Sequence, residues 1–129
     1  MSKTEQTEIG FALMEELTSE SFVAAARASS APGNFCSELA QLGARHAFAE
    51  HWSRPGLDRR SRSLLTLGIL IGSGHSSELR YHIRIALKNG ITVREIEEMI
   101  YQATAYAGFP AAVQAAQAAR EELKALNMI

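Results

Sequence analysis

Hydrophobic residues recur every three to four positions along most of the chain, which is the spacing of amphipathic helices. No segment shows the alternation of a β-strand over a useful length. The pattern therefore predicts an all-α fold, a bundle of about six helices that forms a single domain over residues 1–129. The predicted helical segments are 7–17, 20–28, 35–52, 59–72, 77–89, 93–107 and 110–126.

Capping residues support several of these boundaries. Asp58 is a predicted N-cap, and Thr92 with Glu95 forms the S/T-x-x-E pattern of a capping box. Gly90 is expected just past a helix end, and Pro110 in the first turn of the last helix. The segment 64–71 is apolar nearly all round, so we expect it to be the central buried helix.

Composition narrows the class of protein. The 129 residues are 47% hydrophobic and 21% charged, as in ordinary globular domains, and the formal net charge is -1. This charge predicts no general affinity for nucleic acid or anionic membranes. The first ten residues lack an apolar signal core, and no apolar run is long enough to span a bilayer, so a cytoplasmic location is expected. The one cysteine, Cys36, cannot form an intrachain disulfide or dithiol centre.

The segment GHSSELRYH contains two histidines and a carboxylate at helical spacing. Glu78 and His82 are four residues apart, and His75 lies just upstream. Such a carboxylate favours a protonated imidazole, and a histidine near its usual pKa of about 6.5 exchanges protons at neutral pH. The alternative is a solvated polar stripe. A shared metal ion is disfavoured, because His75 and His82 would be roughly 10 Å apart along a helix.

A second pair with the same spacing is His46 and Glu50, followed by His51 and Trp52. It is either a second proton-transfer group or a solvated helix face beside a buried tryptophan.

Four arginines within nine residues form a candidate anion site: Arg54, Arg59, Arg60 and Arg62. Guanidinium groups bind carboxylates with two parallel hydrogen bonds. A role in solubility alone is the alternative. A further basic stripe is expected to be solvated: Arg80, Arg84 and Lys88.

Three motifs together resemble the carboxymuconolactone decarboxylase family over about residues 38 to 123. They are W-x-R-P-G-L, then E-L-x-x-H-x-R-x-A-x-x-N-G-x-T-x-x-E-I, and Y-x-G-x-P-A-A. The resemblance implies an alkyl hydroperoxidase-like helical fold, assembled as a homo-hexamer or trimer with sites near subunit interfaces.

Peroxidase members of the wider superfamily carry C-x-x-C-x-x-x-H with an upstream glutamate. In this chain the cysteine positions are occupied by His75 and Glu78, the glutamate position by about Ser63, and only His82 matches. Without a dithiol there is no disulfide cycle. The resemblance therefore points to the decarboxylase branch.

The activity implied by the resemblance is cofactor-independent decarboxylation of 4-carboxymuconolactone to β-ketoadipate enol-lactone in protocatechuate catabolism. The substrate is a small carboxylated lactone, and no metal is required. The residues assigned to catalysis are His82, Glu78 and His46. Those assigned to substrate binding are Arg54, Arg62, His75, Trp52 and Tyr106.

Three other functions stay open. A paralogue acting on another lactone or β-keto acid would show the same residues. A non-catalytic oligomeric binding protein would bind a ligand without turnover. A peroxidase-type redox protein is disfavoured by the single cysteine.

Overall fold

The computed structural model describes residues 1–129 and consists of helices joined by turns. The all-α prediction is confirmed, with seven α-helices and one π-helical segment in place of about six helices. None of the helices combines the length with the apolar character that a membrane-spanning helix requires. The α-helices are α1 (Lys3–Leu17), α2 (Glu20–Ser29), α3 (Leu39–Gly43), α4 (Arg59–Ser73), α5 (Ser76–Lys88), α6 (Val93–Ala107) and α7 (Phe109–Ala125), and the π-helix is Ala44–Trp52.

The chain divides into two compact units, Met1–Leu57 and Asp58–Ile129. We call them the N-terminal and the C-terminal unit.

In the N-terminal unit, α1 packs closely against the π-helix. A Cβ atom at Gly10 would overlap the backbone carbonyl of Ala44, so only glycine permits this approach. Helix α1 begins with a capping box between Ser2 and Glu5. The buried apolar side chains of this unit are Phe11, Leu13, Met14, Leu17, Val23, Ala44, Phe48 and Trp52.

The predicted helix 35–52 begins later than expected and changes its winding. Residues before Leu39 form turns, and Cys36 has a left-handed φ of 55° that interrupts a helix. From Ala44 the helix is π-wound, and side chains also bind its carbonyls. His51 donates from Nδ1 to the carbonyl of His46, and the Ser53 hydroxyl donates to that of Ala49.

The C-terminal unit packs α4, α5, α6 and α7 around one apolar core. Its helix starts agree with the predicted caps. The Asp58 side chain accepts the amide of Ser61 at 2.8 Å, and the Thr92–Glu95 capping box is formed. Gly90 is left-handed, with φ of 91°, just after α5. The core consists of Leu67, Ile71, Leu79, Ile83, Ala86, Ile91, Ile96, Ala115, Ala118, Ala119 and Leu123.

The prediction that α4 is buried all round is wrong. Leu67 and Ile71 are buried, but Leu65 and Ile69 are each 58% exposed. The other helices of this unit cover only one stripe of α4, so its remaining apolar side chains face outward.

The basic stripe on α5 is exposed as predicted, at Arg80, Arg84 and Lys88, but two of its members also form ion pairs. Arg80 forms an ion pair with Glu121, and Arg84 forms one with the largely buried Glu122. Because both glutamates lie on α7, the two pairs link α5 to α7.

Candidate active site

Helix α5 places the three residues of the His75–Glu78–His82 stripe in different surroundings. His75 occupies the N-cap position without capping the helix through its side chain, and it is exposed. Glu78, in the first turn, is exposed as well, whereas His82 is partly buried and its Nδ1 atom is inaccessible to solvent. Only His82 therefore combines an ionisable group with partial removal from water.

Burial determines the protonation state of His82. Its pKa is lowered from 6.5 to about 4, because burial penalises the charged imidazolium. The sequence-based expectation that Glu78 holds this histidine protonated, near its usual pKa, is therefore wrong. At neutral pH His82 is an uncharged imidazole, which offers one N–H donor and one acceptor nitrogen.

Tyr81 is a neighbour of His82 that sequence reasoning missed. The two rings meet edge to face, with centroids 4.8 Å apart and planes at 63°. Burial, and secondarily the charge of Glu78, raise the pKa of the Tyr81 phenol, so it stays protonated. The sequence feature that could have identified Tyr81 is its position directly before His82 in the motif.

Helix α4 carries three arginines of the predicted cluster, Arg59, Arg60 and Arg62. Arg62 is partly buried in the first turn, and its backbone amide donates to the carbonyl of Asp58 at 3.0 Å. Arg60 is paired with Glu95 at the start of α6, so its charge has a structural role. Arg54 is exposed and belongs to the N-terminal unit, beyond the π-helix.

The position of the superfamily glutamate carries a buried hydroxyl. Ser63 is 2% exposed, and its oxygen accepts a hydrogen bond of 2.9 Å from Nδ2 of Asn89. Asn89 follows the last residue of α5. The bond therefore ties the end of the His82 helix to α4.

In the N-terminal unit, the π-helix brings the second predicted pair together. Nδ1 of His46 lies 3.2 Å from Oε1 of Glu50, and both side chains are about half exposed. His51 is exposed and Trp52 is buried, as the alternative interpretation of this segment expected. The side chain of His46 is therefore more exposed than that of His82.

Tyr106 does not lie in an enclosed pocket. Its side chain is 85% exposed and borders an open groove of about 650 Å³ between α4 and α6. Leu64, Gly68 and Met99 line the same groove. The assignment of Tyr106 to substrate binding stays a prediction.

No group of three or more histidine, cysteine, aspartate or glutamate side chains is placed to hold one metal ion. Helices α4 and α5 carry the neutral imidazole of His82, the phenol of Tyr81 and the guanidinium of Arg62. These are groups that donate hydrogen bonds to carboxylates and developing oxyanions.

Comparison with known families agrees with these motifs. The family described as "Carboxymuconolactone decarboxylase family" matches residues 37–121, about two-thirds of the chain. The chain belongs to this family. The resemblance predicted from the three motifs over about residues 38 to 123 is confirmed.

Individual relatives include two named decarboxylases. A 4-carboxymuconolactone decarboxylase of Acinetobacter baylyi is 44% identical over 84 residues, which cover 65% of this chain and 63% of that protein. A nitrosuccinic acid decarboxylase of Metarhizium robertsii is 48% identical over 69 residues, 54% of this chain and 48% of the relative. An uncharacterised protein of Paracoccus denitrificans is 40% identical over 75 residues, 57% of this chain and 56% of the relative. The chain thus spans less than two-thirds of the length of each of these relatives.

Proposed function

We propose that this protein catalyses the cofactor-independent decarboxylation of 4-carboxymuconolactone to β-ketoadipate enol-lactone and CO2, a step of protocatechuate catabolism. Family membership and the 44% identity to a 4-carboxymuconolactone decarboxylase support the reaction class. The structural observation that carries the proposal is the partly buried, uncharged His82 on α5.

The substrate can act as its own electron sink. The bond from the ring carbon to the departing carboxylate breaks, and CO2 leaves. The electron pair moves through the ring double bond to the lactone carbonyl oxygen, which gives a dienolate. A proton then adds at carbon and yields the enol-lactone, so atoms and charge balance without an external oxidant or reductant.

In this proposal His82 stabilises the charge that develops on the lactone oxygen. A neutral imidazole donates an N–H hydrogen bond there, and a site with little water makes that bond stronger than it would be in solution. Once the dianionic substrate is bound, its negative charge favours protonation of the ring, so His82 can also deliver the proton to carbon. Glu78 and Tyr81 are proposed to fix the orientation of the imidazole.

Arg62 is proposed to hold the carboxylate that is retained. A guanidinium group binds a carboxylate with two parallel hydrogen bonds. The remaining site residues are proposed from the sequence alone. Substrate binding is assigned to Arg54, His75, Trp52 and Tyr106, and a second proton donor to His46.

A second substrate class is favoured by one specific observation, the 48% identity to a nitrosuccinic acid decarboxylase. Nitrosuccinic acid carries two carboxylates and a nitro group. Loss of the carboxylate beside the nitro group would place the electrons on the nitro oxygens, where a neutral N–H donor acts as it would on a lactone oxygen. The same residues therefore suit either electron sink.

Comparing the two substrates directly tests the proposal. 4-Carboxymuconolactone is generated in situ from carboxymuconate with a cycloisomerase, nitrosuccinic acid is supplied separately, and CO2 release is followed for both. We expect the lactone to have the higher kcat/KM. A higher value for nitrosuccinic acid would establish the second substrate class. No turnover of either by the folded protein would contradict both and favour the non-catalytic binding function.

Homo-oligomerisation, as a hexamer or trimer, is part of the proposal. Large apolar side chains remain exposed in the C-terminal unit, and exposed apolar patches are typical of surfaces that bind another protein. Among these residues are Leu65, Ile69, Tyr106, Phe109 and Val113. A cytoplasmic location stays a prediction from the sequence.

A further inference from the structure

A small pocket lies between α6, α7 and the last residue of the chain, Ile129. Its volume is about 300 Å³, at the lower end of the range for small-molecule sites. Apolar side chains form most of its lining, among them Ile96, Ile100, Ala119 and Leu123. The short side chain of Ala119 leaves the space that a larger residue would fill. No residue of α5 lines this pocket, so it lies apart from His82.

Arg120 borders this pocket and has no anionic partner. Unlike Arg120, the other arginines of the C-terminal unit all take part in interactions: Arg59, Arg60, Arg62, Arg80, Arg84 and Arg94. Arg120 is exposed on α7 and forms no hydrogen bond or ion pair. The pocket therefore combines an apolar interior with an available guanidinium at its edge.

The one acidic residue in the pocket lining, Glu97, is already engaged. The Tyr101 hydroxyl donates to its Oε1 at 3.0 Å, and Arg94 lies 3.3 Å from its Oε2. Arg94, which also pairs with Glu98 at 2.6 Å, compensates part of the negative charge of Glu97. The side of the pocket next to Arg120 thus favours a carboxylate.

We propose that this pocket binds a small monocarboxylate with an apolar or aromatic body. The body would fill the space over Ile96, Ile100 and Ala119, and the carboxylate would accept hydrogen bonds from Arg120. Apolar burial and a charge-assisted hydrogen bond would act together. This site goes beyond the proposed decarboxylase function and does not depend on it.

Titration with benzoate, followed by ligand-observed NMR on the full chain, tests the site. Benzyl alcohol, which has the same ring without the charge, serves as the neutral probe. We expect Arg120→Gln to weaken benzoate binding by about tenfold, because a charge-assisted hydrogen bond is lost. Ala119→Leu, which fills the pocket, is expected to weaken it by at least a similar factor.

Lys124→Gln is the matched control, since it removes one positive charge from an exposed position on α7 that does not line the pocket. It should leave benzoate binding unchanged. If Arg120→Gln binds benzoate as well as Lys124→Gln does, the site is overturned. Benzyl alcohol binding as tightly as benzoate would overturn the assignment of a carboxylate ligand. Arg120 is exposed, so its substitution keeps the test decisive even if Ala119→Leu fails to fold.

Discussion

At the scale of single residues, the proposed chemistry depends on the surroundings of His82. The sequence predicted that Glu78 and His82 lie about one turn apart on a single helix, as they do on α5, because this follows from helical periodicity. It did not predict the direction of the pKa shift. That direction depends on how much water reaches the ring, which is a property of tertiary packing. Tyr81 was missed for the same reason, because its contact with the His82 ring also depends on tertiary packing.

The pKa of His82 can be measured by NMR titration of its ring protons. We expect a value of about 4, well below the 6.5 of an exposed histidine. Because the unfolded chain binds this proton first, the free energy of unfolding should fall as pH decreases from about 6.5 to about 4. A His82→Gln variant should lose stability less steeply over this range. A measured pKa near 6.5 would show that the ring is solvated.

Arg62 provides a separate test of substrate binding. Replacing it with alanine should raise KM for the lactone strongly, by about tenfold or more, since a bidentate carboxylate contact disappears. Arg60→Ala is the matched control, because Arg60 already pairs with Glu95. Steady-state kinetics compares the two variants. An unchanged KM for Arg62→Ala would move the carboxylate anchor to another residue.

At the scale of helices, the caps were predictable and the winding was not. Asp58 and the Thr92–Glu95 capping box start α4 and α6 through hydrogen bonds between side chains and nearby backbone amides. Residues of these types at this spacing can be recognised in the sequence. The π-helix Ala44–Trp52 has no such signal, because its apolar residues are also compatible with an α-helix. For α4, the apolar pattern could not show which side its neighbours leave exposed.

Gly10 tests the packing of α1 against the π-helix. Gly10→Ala should lower the free energy of unfolding by about 1–3 kcal/mol, because its methyl group overlaps the Ala44 carbonyl. Helix propensity alone would change it in the opposite direction. Gly43→Ala is the control: this glycine is helical, with φ of -60°, and has open space around it. Denaturant unfolding that shows both variants equally stable would contradict the close contact.

At the scale of the whole molecule, the exposed apolar side chains support the proposed homo-oligomer. A sequence of 129 residues builds a limited core, and oligomerisation adds burial. The family resemblance implied a hexamer or trimer. The exposed side chains of Leu65 and Ile69 are where α4 could contribute to such an assembly. From the apolar pattern alone, a surface between subunits cannot be distinguished from the core of one subunit.

Light scattering tests the assembly. We expect a particle mass six or three times the 14.1 kDa of one chain. Ile69→Glu should shift the protein towards monomers, because a charge would be buried in the contact. Ala24→Glu, at an exposed position of α2, should leave the mass unchanged. A monomeric wild-type protein would contradict the proposed oligomer, and an intact Ile69→Glu oligomer would place the interface elsewhere.

The most direct test of the central claim is the turnover of 4-carboxymuconolactone by the wild-type protein and by His82→Gln, measured as CO2 release without added metal or cofactor. The account predicts turnover by the wild type and a decrease in kcat of about a hundredfold or more in a variant that remains folded, as expected when a donor to a developing oxyanion is removed. Equal turnover by the two proteins would remove His82 from the mechanism. Absence of turnover by the folded wild type would contradict the proposed reaction itself.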